Sequence, residues 1–213
     1  MKELADIRKD YILATLDVVS VAANPIHQFE KWLDDAVRSE IAEPTAMCLA
    51  TAAPGGKPSS RIVLLKGIEN DQFIFYTNYQ SQKGIELESN PFCALTFFWA
   101  DLERQIRIEG TATRVTTDTS DAYFKSRPRG SQVGAWASPQ SIIIRDRNIL
   151  EDRVIEIEKR FNGQKELPRP KQWGGFRIDP CEIEFWQGRS SRLHDRIVYL
   201  KVNQEWKINR LAP

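Results

Sequence analysis

Cysteine and histidine are scarce in this chain of 213 residues, with three of the first and two of the second. Cys48, Cys93 and Cys181 are far apart and odd in number, and no two have metal-ligand spacing. That argues against a disulfide framework and a structural zinc site, and it suits a reducing compartment. His27 and His194 alone exclude a histidine-rich metal centre, so no metal is expected. Charge of one sign is also lacking: 30 Lys and Arg face 29 Asp and Glu, a formal net charge of +1. The whole molecule has no bias toward nucleic acid or membrane, so an anion site must come from local clustering of cations. Long apolar runs are missing. Ile62 to Leu65 and Ile142 to Ile144 are far too short to span a bilayer. The first ten residues carry charges where a signal peptide needs an apolar run, and the expected location is cytoplasmic. Neither G-x-G-x-x-G nor G-x-x-x-x-G-K-[ST] occurs, so side chains must do much of any phosphate binding.

What is present is 41% hydrophobic and 28% charged residues, enough for an ordinary globular core. Leu4, Ile7, Tyr11 and Ala14 read as one face of an amphipathic helix. Asn24 and Pro25 mark the start of a second helix, with Phe29, Trp32, Leu33, Ala36 and Val37 as its stripe; His27 reads as surface. From about Thr45 the texture changes to strands: Ala46 to Thr51, Arg61 to Lys66, Phe73 to Thr77, Cys93 to Trp99 and Arg104 to Val115. The last alternates, with Gln105, Arg107 and Glu109 facing one way and Ile106 and Ile108 the other. Phe97, Phe98 and Trp99 read as core. Helices are expected at Ser81 to Ser89, Thr117 to Ser126 and Arg145 to Phe161. A Pro/Gly-rich connection over Asn162 to Gly175 precedes closing strands near Glu182 to Trp186, Arg196 to Val202 and Trp206 to Arg210. The pattern implies an α+β fold on a mainly antiparallel, barrel-like sheet.

Three clusters could carry chemistry. In Trp186 to Arg196, an extended end would project Arg192, His194 and Arg196 to one side. Two guanidiniums beside an imidazole imply an anion or aromatic ring between them, or else a solvated basic loop. In Tyr123 to Gln132, Tyr123 and Arg127 are neighbours on a helix face and Ser131 follows in a Gly-containing turn. They form either a phosphate cradle or a helix end whose cations suit the dipole. The third is Ser60 to Lys66, with Tyr76-Thr77 and Ser81-Gln82-Lys83 downstream; Ser81 opens a helix whose first turn carries Lys83, a cation the dipole disfavours unless an anion is bound. A simple cap is the alternative.

Taken in order, these stretches closely resemble the pyridoxine/pyridoxamine 5'-phosphate oxidase family over nearly the whole chain. The resemblance is carried by Ile7-Arg8-Lys9-Asp10-Tyr11, Glu43-Pro44-Thr45-Ala46-Met47, Arg61 to Lys66, Phe75-Tyr76-Thr77-Asn78 and Leu102-Glu103-Arg104-Gln105. It continues through Tyr123 to Gln132, Gly134-Ala135-Trp136, Trp173-Gly174-Gly175, Glu184-Phe185-Trp186-Gln187-Gly188, Arg192 to Arg196 and Arg210-Leu211-Ala212-Pro213.

The resemblance implies a single split β-barrel domain over residues 1–213 that holds flavin mononucleotide (FMN) between the subunits of a homodimer. A helical segment would occupy about 1–40, and a dimerisation and substrate-binding region about 168–213. Arg61, Ile62, Val63, Leu64, Leu65, Lys66, Tyr76, Thr77, Lys83 and Gln105 would hold FMN from one subunit, and Gln140, Ser141, Trp186 and Arg196 would complete the site across the interface. Gln82 would join them by hydrogen-bonding a phosphate oxygen, though the family commonly has arginine there. Lys66, Tyr123, Arg127 and Ser131 would meet the substrate phosphate, Arg192 and His194 would flank the pyridine ring as catalytic residues, and Arg8 and Tyr11 would form a lid. Arg61 and Lys66, five apart, cannot share a face of a regular strand, so either backbone groups make some of the contacts or the strand twists or ends before Lys66-Gly67.

The activity implied is oxidation of pyridoxine or pyridoxamine 5'-phosphate to pyridoxal 5'-phosphate by hydride transfer to FMN, with O2 reoxidising the flavin to give H2O2. A split-barrel flavin reductase and a non-catalytic carrier of pyridoxal phosphate or FMN are the alternatives.

Overall fold

The computed structural model describes residues 3–4 and 10–213. Its centre is a nine-stranded antiparallel sheet in the order β2-β1-β5-β6-β7-β4-β3, with β8 added to β7 and β9 to β8. The strands are β1 (Ala46–Ala52), β2 (Pro58–Leu64), β3 (Gly67–Glu69), β4 (Gln72–Asn78), β5 (Phe92–Trp99), β6 (Arg104–Arg114), β7 (Trp173–Gln187), β8 (Asp195–Val202) and β9 (Glu205–Leu211). The ends of this order, β2 and β3, are joined by Leu65 and Lys66 alone. The Leu65 N–H bonds to Thr45 O at 2.9 Å and the Lys66 N–H to Ile74 O at 2.8 Å. One peptide thus serves both margins, and the sheet curls into a barrel. The strand ends between Arg61 and Lys66, so both residues can face one cavity.

β7 is where the barrel splits. Residues 173–178 pair with β4 and residues 182–187 with β8, while β6 runs along the other edge. Between the two halves the register to β6 shifts at Glu109/Gly110, with Pro180 opposite Gly110. Proline has no N–H to give and belongs at such a bulge. Here the structure extends the sequence reading, in which the strand begins near Glu182. Gly174, Gly175 and Pro180 disguise its first half. The glycines are required: a Cβ on Gly174 would lie 2.0 Å from the Tyr79 hydroxyl, and one on Gly175 2.8 Å from the Tyr76 ring.

Five α-helices are described: α1 (Pro25–Arg38), α2 (Gln82–Ser89), α3 (Thr117–Ser126), α4 (Arg129–Ala137) and α5 (Asn148–Arg160). Asn24 Oδ1 caps α1 by accepting from the Ile26 N–H at 2.7 Å. The stripe of α1 enters the barrel, where Phe29 meets Phe73 at 5.0 Å and Phe97 at 5.1 Å, and Trp32 meets Phe185 at 5.2 Å. Phe98, expected in the core, is 56% exposed because strand alternation turns it outward between Phe97 and Trp99. A second core of Phe124, Val133, Ala137, Ile157, Phe161, Leu167 and Trp173 joins α3, α4 and α5 to the sheet. The Gly-containing turn expected at Ser131 is instead the first turn of α4, with Ser131 and Gln132 N–H groups bonding to Pro128 O.

The first segment also differs from expectation. Ile7 and Arg8 lie outside the described residues, and from Asp10 to Asp17 the chain forms no helix. Its N–H groups are taken elsewhere: Leu13 N donates to Glu103 Oε2 at 3.0 Å and Leu16 N to Asp195 Oδ2 at 3.1 Å. Arg210 holds the same strap, donating to Leu16 O at 3.1 Å and Asp17 Oδ2 at 2.8 Å. The segment is tied across the sheet by side chains that sequence periodicity does not reveal.

Candidate active site

A cavity of about 630 Å³ opens between the β2–β4 margin and α2, α3 and α4. Arg61, Ile62, Val63 and Leu64 of β2 line it, with Lys66 from the strand junction, Tyr76 and Thr77 of β4, and Lys83 of α2. The helical side contributes Tyr123, Arg127, Ser131 and Gln140, and β7 contributes Trp173. Four cations thus converge on one space.

At one end, Ser81 caps α2 and its hydroxyl accepts from Lys83 Nζ at 3.3 Å. Burial, and then the neighbouring Arg61, lower the Lys83 pKa from its ordinary value, with Glu86 opposing. Arg61 is held by Thr51 Oγ1 and Ser59 Oγ, each at 2.5 Å, and lies 3.4 Å from Glu86 Oε2. Glu86 is buried, which pushes its carboxyl up. Hydrogen bonds from Ser59, Thr51 and Gln82, with Arg61 nearby, outweigh that and bring it down to about 2. A permanent anion therefore sits behind the cations and fixes them in place. Sequence reading missed it, because Glu86 on a short helix looks like any surface carboxylate.

At the other end, Tyr76 and Tyr123 stack at 3.8 Å, nearly parallel to Trp173. Burial, followed by Glu69 and the two neighbouring tyrosines, pushes Tyr76 up to about 12, so its phenol stays neutral. The Arg127 guanidinium lies 4.5 Å over Trp173. Burial lowers its pKa, with Tyr123 opposing, and its Nη1 is buried without a hydrogen-bond partner. A desolvated cationic donor beside a cavity is costly unless an anion is meant to meet it.

Several of the other predicted residues form a second cluster that does not line this cavity. Gln105, Trp186 and Arg196 are cross-strand neighbours on β6, β7 and β8. His194 lies 4.6 Å from Trp186, and Tyr11 packs edge-on to both, at 5.7 Å from Trp186 and 5.9 Å from His194. Gly188 makes room for Tyr11, since a Cβ there would lie 2.7 Å from its Cγ. The Arg189 N–H donates to His194 Nδ1 at 3.1 Å, which leaves Nε2 to carry the proton of the neutral ring. Arg192 does not continue β8. It sits in a turn with φ 61°, beside Ser191 at φ 56°, so the alternation expected of Arg192, His194 and Arg196 fails.

Five residues sit differently from the expected division. Gln140 belongs with the first cavity, where Thr77 Oγ1 lies 3.4 Å from its Oε1, whereas Gln105 faces outward with Trp186 and Arg196. Gln82 does not line the cavity; its amide donates to Glu86 Oε1 at 3.0 Å. Leu65 is buried in the core and Ser141 is exposed at φ 71°; neither lines the cavity.

An antiparallel barrel split along β7, with one cation-lined cavity and an aromatic cluster apart from it, defines a split-barrel protein built for a phosphate-bearing ligand. Comparison with known proteins agrees. The family model described as "Pyridoxamine 5'-phosphate oxidase" matches residues 33–161. Residues 173–213 match "Pyridoxine 5'-phosphate oxidase C-terminal dimerisation region". The chain belongs to the pyridoxamine 5'-phosphate oxidase family. It is 52% identical over 210 residues to a pyridoxine/pyridoxamine 5'-phosphate oxidase of Acaryochloris marina, covering 99% of this chain and 95% of that one. Its identity to the Nostoc punctiforme protein of the same name is 53% over 213 residues, covering 100% and 99%. Among solved structures, PhzG from Burkholderia lata in complex with tetrahydrophenazine-1-carboxylic acid superposes with a TM-score of 0.86 at 31% identity, covering 94% of this chain and 100% of that one. An FMN-binding protein from Nostoc punctiforme shares the fold, with a TM-score of 0.69 at 18% identity over 91% of this chain and 100% of that one.

Proposed function

We propose that this protein is an FMN-dependent oxidase that converts pyridoxine or pyridoxamine 5'-phosphate to pyridoxal 5'-phosphate, working as a homodimer. The observation that carries the reading is the buried, unpartnered Nη1 of Arg127 in a cavity also lined by Lys66, Tyr123 and Ser131. A phosphate ester supplies the acceptor oxygens that this group lacks.

The donor set also fits FMN. Arg61, Lys83 and the Ser81 end of α2 form a second anion station in the same cavity, with Tyr76, Thr77 and Gln140 placed for the rest of the cofactor. When bound, FMN supplies the two-electron acceptor chemistry, and dioxygen takes the electrons on to hydrogen peroxide. Gln105, Trp186, Arg196, Arg192 and His194 are apart from this cavity within one chain. In the dimer they complete the site of the other subunit, in keeping with a dimerisation region that begins at Trp173.

The residues then divide the work. Lys66, Tyr123, Arg127 and Ser131 anchor the substrate phosphate and so fix the distance of the reacting carbon from the flavin. Arg192 holds that carbon and stabilises developing charge, and His194 orients the substrate through its Nε2 proton. Tyr11 covers the ring. The alcohol leaves as an aldehyde; the amine leaves as an imine that water hydrolyses to aldehyde and ammonia. Because Gly188 seats Tyr11, Gly188→Ala is expected to raise the substrate KM several-fold while FMN affinity stays the same. Steady-state kinetics beside an FMN titration checks this.

The reading itself is tested by the visible spectrum of the purified protein, followed by oxygen uptake and aldehyde formation with pyridoxine 5'-phosphate. A yellow protein that consumes oxygen and forms pyridoxal phosphate supports it. NADH consumption without dependence on a B6 phosphate would identify a flavin reductase. Binding without oxygen uptake would identify a carrier.

A further inference from the structure

Glu184 stands on the outward face of β7, yet it is only 2% exposed because two arginines cover it. Arg196 forks onto it, with Nε 2.7 Å from Oε1 and Nη2 3.1 Å from Oε2. Arg107 reaches the same Oε2 from β6 at 3.0 Å. The pairings place Arg107 directly across from Glu184, while Trp186, two residues on, is flanked by Gln105 and Arg196. The third arm of Arg196 is occupied too, its Nη1 donating to Ala212 O at 2.9 Å. A guanidinium carries five N–H groups in one plane. Three are bound within the chain, so the plane is fixed and two N–H groups, one on each Nη, are left for a ligand.

We propose that Glu184 is a positioning residue for the cofactor, which orients the Arg196 guanidinium, beside Trp186, toward FMN. The inference rests on the FMN oxidase reading above. A buried carboxylate costs several kcal/mol of desolvation unless it is fully paired. Here Arg107 also pairs with Glu109 at 2.8 Å, so the two arginines and two glutamates balance and the Arg196 plane is fixed by its three bonds. Arg196 thus acts as an aimed donor rather than a loose counter-charge.

The test is an FMN titration of flavin-free protein, read by quenching of flavin fluorescence. Glu184→Gln keeps the shape but turns an amide NH2 toward one of the arginines. It is expected to raise the FMN Kd by about tenfold to a hundredfold. In an Arg196→Met background the same change should cost nothing further, because the residue it acts through is gone. Circular dichroism and gel filtration establish that the variants fold and assemble. Should Glu184→Gln not fold, Glu184→Asp replaces it, with a smaller loss that again vanishes in the Arg196→Met background. Unchanged affinity in either Glu184 variant, or an equal loss with and without Arg196, overturns the assignment. Unsubstituted protein that binds no FMN overturns both this inference and the oxidase reading; if only the variants behave unexpectedly, the oxidase reading stands.

Discussion

Replacing Arg192 with leucine is expected to lower kcat for pyridoxine 5'-phosphate by about a hundredfold to a thousandfold, the scale for removing one aimed donor from a reacting centre. FMN affinity should hardly change. The side chain is exposed and has no hydrogen-bond or ion-pair partner among the described residues. Its backbone at φ 61° follows Ser191 at φ 56°. Two consecutive non-glycine residues in the left-handed region cost of order 1–3 kcal/mol each, and they persist only where the surroundings impose them. Around them, Arg189 is clamped to Asp195 Oδ2 at 3.0 Å and to His194 through its N–H. The fold therefore holds a free guanidinium in a strained turn beside His194. Leucine keeps the turn and removes the charge, so the loss should fall on turnover. Wild-type turnover in Arg192→Leu, measured by aldehyde formation, would remove Arg192 from the mechanism.

The second large effect is expected at Arg127, where function and stability should move apart. Arg127→Met should raise the KM for either B6 phosphate by about a hundredfold, the scale of a lost charge-assisted pair. The ligand-free protein should nevertheless unfold at the same temperature or a slightly higher one. Burial already disfavours the charged form of Arg127, and its Nη1 finds no partner. Methionine keeps the packing on Trp173 and Phe124 without a desolvated charge. Steady-state kinetics and thermal denaturation without ligand check the two halves separately. A Tm several degrees lower with KM unchanged would mean that Arg127 is a structural cation rather than a phosphate anchor.

Local chemistry made much of the fold legible. Asn24-Pro25 marks the start of α1, Ser81 caps α2, and the alternation at Gln105 to Glu109 sets which face of β6 looks outward. The local clusters around Arg127 and Lys83 were legible as possible anion sites, but only family resemblance joined them to Arg61 in one site, because the three lie far apart in sequence and meet through the fold. What escaped was set by long-range contacts. The first half of β7 carries glycines that make room for Tyr76 and Tyr79, and a proline at a bulge, all of which look like a loop in sequence. The strap from Asp10 to Asp17 has helical periodicity, but Glu103 and Asp195 take its N–H groups. The grouping of Gln105 with Trp186 follows from strand pairing, and that of Gln140 with Arg61 from the turn after α4 reaching the cavity.

The strap also constrains how the protein is made. Arg210 grips Leu16 O from 194 residues further along the chain, and Asp195 receives the Leu16 N–H from 179 residues away. At ribosomal speeds of about 5–20 residues per second, the strap waits roughly 10–40 s for Arg210 to be synthesised. The strap is thus made well before these partners and completes its docking only once they exist. The Leu16 contacts therefore close only after β8 and β9 have formed.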